Sequence, residues 1–202
     1  CKLEISDKTM FNDLKCLTHL NLSDVKLQEI VLPDLFKELT QLDTLKLKGK
    51  ELNLTQDAFI YLENLKELHF LDIEIPEECS MIFAPLKSLE KLVMGETTTL
   101  NYNAFRQVRN LRELELSCFP NIEIDENFLA NHPNLEHLDL SCLNFEDSNC
   151  YSKRSKSEKY SIDLKCLANL AALKSLDLCN NNLHLEPDDC EMIFSLENLE
   201  SL

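Results

Sequence analysis

Nine cysteines and five histidines in 202 residues are the side chains with the most reactive chemistry to offer, and their spacing limits that chemistry sharply. No two cysteines are arranged C-x-x-C, so the usual zinc and dithiol signatures are missing. His19, His69, His132, His137 and His184 stand beside no recognisable nucleophile motif. His137 with Ser117 or Cys118 is the one pairing of base and nucleophile that chain order suggests. Gly49 and Gly95 are the only glycines, which leaves phosphate-cradling loops and glycine-based nucleophile elbows nothing to be built from. Neither a cofactor, nor a metal site, nor enzymatic activity is expected from this set.

Charge narrows the partners. The net charge of −16 opposes phosphate backbones and anionic lipid surfaces, so no nucleic-acid partner and no membrane contact by this segment is expected. No apolar run approaches the roughly 20 residues that cross a bilayer, and CKLEISDKTM lacks the basic and apolar regions of a signal peptide. A hydrophobic content of 44% points to a buried core.

The elements that position these side chains follow from an internal period. L-x-x-L-x-L, with Phe or Met allowed at the third site, starts at Leu17, Leu42, Leu65, Leu89, Leu111, Leu135 and Leu173, and an eighth start at Leu199 meets the chain end. Successive starts lie 25, 23, 24, 22, 24, 38 and 26 residues apart. Each L-x-L is a short strand whose leucines point inward, and one coil cannot bury them without its neighbours. Stacking the coils gives a curved parallel sheet on one face and return segments on the other. A phenylalanine six residues before the next start recurs at Phe11, Phe36, Phe59, Phe83 and Phe105, with Phe128 one residue early, Leu167 substituting and Phe194 one residue late. These side chains are expected to fill the core beneath the convex side.

The recurrent motif along essentially the whole length resembles leucine-rich repeat proteins, an α/β solenoid with a concave parallel sheet and short helical or irregular convex segments. FKELTQL and FIYLENL are similar to the "typical" extracellular class from which Toll and Toll-like receptor ectodomains are built. That pattern usually carries Asn nine residues into each repeat. Here the position holds Val25, Lys50, Ile73, Thr97, Phe119, Leu143 and only once Asn181, so the buried backbone must find other partners.

Residues 1–202 are read as a single array of about eight coils, open at both ends and so a fragment of a longer ectodomain. The one shift in composition is the serine-rich stretch 148–161, where Lys153, Arg154, Lys156 and Lys159 face only Glu158. It is expected to protrude from one coil as a basic loop able to meet an acidic partner or a protease.

Alternation along each strand turns the third and fifth repeat positions outward. They read His19, Thr44, Glu67, Lys91, Glu113, His137, Ser175 and Asn21, Lys46, His69, Val93, Glu115, Asp139, Asp177. The candidate ligand face is His19, Lys46, His69, Lys91, Glu113, Glu115, His137, Asp139 and Asp177. Its later coils are acidic and suit a basic protein or peptide. Leu71 and Val93 read as incidental apolar exposure on the same face.

Asn21 and Asn53 head N-glycosylation sequons, Asn53 being the better acceptor because Asn21 sits on the concave strand. Cys118 and Cys142 share a repeat position, where buried free thiols are expected rather than a bridge. Cys150 and Cys166 bracket the basic stretch and are the candidate disulfide, in keeping with cysteines near such loops in Toll-like receptors.

The resemblance implies non-enzymatic recognition of a protein or microbial ligand by a secreted or cell-surface receptor of innate-immune type, acting as a homo- or heterodimer. An intracellular, cytoplasmic scaffold holding a protein partner is the alternative. Glycans and disulfides favour the first, free thiols and bare asparagines the second.

Overall fold

A computed structural model describes residues 4–23, 25–27, 32–49, 52, 54–96, 102–117, 119, 124–143, 162–181 and 183–202. Two short strands, β1 (Glu4–Ile5) and β3 (Lys26–Leu27), pair in parallel. The main sheet is parallel and seven-stranded, running β2 (His19–Ser23), β4 (Thr44–Lys48), β5 (Glu67–Leu71), β6 (Lys91–Gly95), β7 (Glu113–Ser117), β8 (His137–Asp139) and β9 (Ser175–Asp177) in chain order. Register follows the repeat: Leu20, Leu45, Leu68, Leu92, Leu114, Leu138 and Leu176 form one row across all seven strands. Return segments are mostly turns, with short helices α1 (Leu32–Phe36), α2 (Tyr102–Phe105) and α3 (Pro187–Phe194) and 3-10 turns at Glu77–Cys79 and Leu164–Leu167.

Phe36, Phe59, Phe83, Phe105 and Phe128 are buried beneath the return side, and Leu167 takes the same place. Phe59 and Phe83 stack at 6.1 Å, with Phe70 of β5 edge-on to both at 6.0 and 5.9 Å. Phe105 and Phe128 stack at 5.1 Å. Phe194 departs from expectation. It is 82% exposed, and Ile193, which stands six residues before Leu199, is buried instead. On α3 one residue is a turn of about 100°, enough to carry a side chain from core to solvent.

Two other patterns of hydrogen bonds join the coils where the asparagine column is missing. First, one carbonyl per coil accepts two N–H groups from the next: Thr18 O from Asp43 and Thr44, Asp43 O from Lys66 and Glu67, Lys66 O from Glu90 and Lys91, and so on to Lys174 O from Glu200 and Ser201. Second, a different asparagine column, one residue before the repeat start, reaches back one coil. Asn64, Asn110 and Asn198 donate to Thr40 O, Lys87 O and Ala171 O at 3.0, 2.7 and 2.7 Å. Asn181 is the single rung of the usual kind. It is buried, donates to Leu140 O and Leu178 O, and accepts from Leu143 N–H at 2.7 Å.

The residues at the repeat position of the shared carbonyls alternate in charge from Asp43 onward: Asp43, Lys66, Glu90, Arg112, Glu136, Lys174, Glu200. Asp43 pairs with Lys66 at 3.0 Å, and Glu136 pairs with both Arg112 and Lys174. The Lys174 and Arg112 hydrogen bonds hold the Glu136 carboxyl below its ordinary range.

Strands end in a common way, with Asp72, Glu96, Cys142 and Asn180 at φ 54 to 59° in equivalent positions, where Gly49 also has a positive φ. Gly95 is required for a different reason: a Cβ there would lie 2.3 Å from the Ser117 carbonyl oxygen on β7. Gly95→Ala is therefore expected to cost about 1–3 kcal/mol in chemical denaturation by forcing β6 and β7 apart. An unchanged midpoint would show that the strands shift freely.

Candidate recognition surface

The six outward residues of the later coils come together. Lys91, Glu113, Glu115, His137, Asp139 and Asp177 line one shallow depression of about 220 Å³ over β6–β9, floored by Leu114 and Leu138 and joined by Ser175. His19, Lys46 and His69 lie on the same sheet, on β2, β4 and β5, outside this depression.

Its wall is ionic. Lys91 donates to Glu113 at 2.7 Å, and that bond raises the lysine's pKa. On the neighbouring coil Glu67 meets His69 Nε2 at 2.5 Å. Burial alone would raise the Glu67 carboxyl, but the His69 hydrogen bond and the charges of His69, Lys46 and Lys91 outweigh it and hold the carboxyl low. Val93 lies in register between His69 and Glu115 and is 4% exposed, so it is not the surface residue that alternation alone implies. A concave sheet crowds the side chains on its inner face and covers a short one among long ones.

Glu115, Asp139 and Asp177 form a row of carboxylates on adjacent strands. Two of them also shape the backbone. Asp139 and Asp177 accept the N–H of Ser141 and Cys179, each at 2.8 Å and two residues on, as Asn21 does for Ser23 at 2.9 Å. A short polar side chain at this position turns the chain out of the strand. The outward columns thus carry a structural role that charge reading alone does not reveal.

The pairing of His137 with Ser117 is not formed. His137 is in register with Glu113, four residues before Ser117, which separates them along the strands by roughly 13 Å. Among the described residues no group of three His, Cys, Asp or Glu side chains is placed to hold a metal ion. Cys166 is a free thiol, 1% exposed, and burial pushes its pKa up to about 12. Its candidate partner Cys150 lies outside the described residues, as do Lys153, Arg154, Lys156, Lys159, Asn53 and Cys118. His132, at the site three residues before the repeat start that Leu39, Leu62 and Leu86 fill in other coils, is wholly buried with its ring 4.4 Å from that of Phe105.

A parallel sheet in which every strand repeats one leucine register defines a leucine-rich repeat solenoid, a fold typically used for binding. The chain belongs to the leucine-rich repeat family of the BspA type, whose region matches residues 29–158 and 74–199 with 6 copies. No curated protein matches the sequence. Among solved structures it is similar to Toll in the Toll–Spatzle complex of Drosophila, with TM-score 0.68 and 16% identity, over 90% of this chain and 22% of that one. It is similar to TLR13 in the TLR13–ssRNA13 complex, with TM-score 0.53 and 24% identity over 91% and 26% of the two chains. It also resembles human 5T4 (Wnt-activated inhibitory factor 1, trophoblast glycoprotein), with TM-score 0.65 and 21% identity over 92% and 68%. The chain thus spans about a quarter of the length of the Toll and TLR13 chains. TLR13 is seen with single-stranded RNA, so this neighbour lends no support to the expectation that nucleic acid is excluded.

Proposed function

We propose that the depression over β6–β9 is the recognition surface of a receptor-type ectodomain and that its partner is a basic protein or peptide. The carrying observation is the row Glu115, Asp139 and Asp177, which sets three carboxylates side by side on a rigid sheet. Such a face attracts Lys- and Arg-rich partners and repels phosphate, so protein is favoured over nucleic acid. Likeness to Toll, seen with the protein Spatzle, supports an extracellular, dimerising receptor of innate-immune type, with the basic stretch 148–161 as a second contact. A specific observation favours the alternative of an intracellular scaffold: Cys16, Cys79, Cys142, Cys166, Cys179 and Cys190 are all free thiols.

Two experiments test this. Titration of the folded chain with a lysine-rich peptide is expected to show salt-sensitive binding that Glu115→Lys weakens about tenfold, or 1.4 kcal/mol. Binding unaffected by the reversal removes the depression from the reading. The intact mass of protein from its native source, before and after deglycosylation, decides the compartment. A glycan on Asn53 or Asn21 supports the receptor, and an unmodified mass the scaffold.

A further inference from the structure

Two cysteines on neighbouring coils are both open to solvent and joined through their backbones. Cys142, just past β8, donates its N–H to the carbonyl of Cys179, just past β9, at 2.9 Å. The Cys142 sulfur is directed toward that next coil, where it accepts the Asn180 side-chain N–H at 3.5 Å. Cys142 is level with Asn180, so the tie to Cys179 runs diagonally. Backbones bonded this way hold their Cα atoms about 5–6 Å apart, within the span a disulfide bridges. The φ of 57° at Cys142 takes its side chain out of strand alternation. Cys179 is exposed and Cys142 partly so, whereas Cys79 and Cys166 are sealed in the core. Among the described cysteines no other pair is hydrogen-bonded backbone to backbone.

We infer that Cys142 and Cys179 form a reversible redox pair, a disulfide that staples the β8 coil to the β9 coil under oxidising conditions. Its position gives it a purpose. Between these coils the repeat interval lengthens to 38 residues, so this joint has the longest connection of the array and gains most from a second covalent tie.

The oxidant is a small-molecule disulfide such as oxidised glutathione. The Cys142 thiolate attacks one of its sulfurs, forming a mixed disulfide and expelling one thiolate, which takes up a proton. Cys179 loses its proton to solvent and attacks the Cys142 sulfur, expelling the second thiolate. Two protein thiols are oxidised and one small disulfide is reduced to two thiols. Asp177 accepts the Cys179 thiol hydrogen bond and, with its own charge and that of Asp139, raises the thiol's pKa. Closure therefore quickens as pH rises.

The folded chain is incubated with oxidised glutathione, remaining thiols are alkylated, and unreduced peptides are mapped by mass spectrometry. The expected result is a cross-linked peptide joining Cys142 to Cys179, lighter by two hydrogens, that dithiothreitol separates. Cys142→Ser and Cys179→Ser should each abolish it and leave the remaining cysteine as a glutathione adduct. Full alkylation of both cysteines overturns the inference. So does a separate glutathione on each, or a bridge from either one to another thiol.

Discussion

Acidification from pH 6.5 to pH 4 is expected to remove about 3 kcal/mol of stability through a single side chain, His132. The ring is wholly buried and lies obliquely on Phe105, their centroids 4.4 Å apart. Burial pushes its pKa from 6.5 down to about 4, and the backbone of Phe105 and Val108 offsets only part of this. The sign follows from proton uptake. Above pH 6.5 the ring is neutral in both states and the cost is absent. As pH falls toward 4, the unfolded chain binds a proton that the folded chain refuses, and the folded state loses ground until its own ring titrates. Denaturant titrations of the protein and of His132→Leu at pH 7 and pH 4 separate this from the background of titrating carboxylates. The stability gap between the two should shift by about 3 kcal/mol in favour of the variant at the lower pH. Parallel pH profiles would mean that water reaches the ring.

Phe70→Ala is expected to cost about 3–5 kcal/mol at neutral pH. Phe70 is fully buried on β5 and presents its edge to both Phe59 and Phe83, which stack on each other. Removing it opens a cavity bounded by rings from two coils, and close-packed aromatic faces cannot collapse into it without breaking their own contact. The comparison is Phe194→Ala. That ring is 82% exposed, so its loss should change stability by less than about 0.5 kcal/mol. Equal losses at the two positions would contradict the burial described.

The strand columns were legible because leucines at fixed spacing admit one register, and Leu45, Leu68 and Leu92 lie where that register puts them. Six of the nine concave candidates gather in one depression for the same reason. What escaped depends on interactions that no single repeat contains. Ile193 displaces Phe194 because the helical phase of the last return segment decides which side chain faces inward. Val93 is buried between the in-register His69 and Glu115 of the neighbouring strands. Asp139 and Asp177 look like surface charge in the sequence, yet each also closes a turn. His132 stands three residues before Leu135, the site that Leu39, Leu62, Leu86 and Val108 fill in other coils, so its burial was written in the period and hidden only by its polar type. The alternating charges at the second repeat position were visible in the sequence and lacked only a reason to be read until the shared carbonyls showed that these residues sit directly above one another.

That alternation imposes a parity on the array. Because Asp43, Lys66, Glu90, Arg112, Glu136, Lys174 and Glu200 follow one another with strictly opposite signs, removing or duplicating a single coil sets two like charges side by side. Removing or duplicating a pair of coils leaves the sequence of signs intact. By charge alone, a change of two coils is therefore better tolerated than a change of one, by the roughly 0–1 kcal/mol that an exposed ion pair contributes.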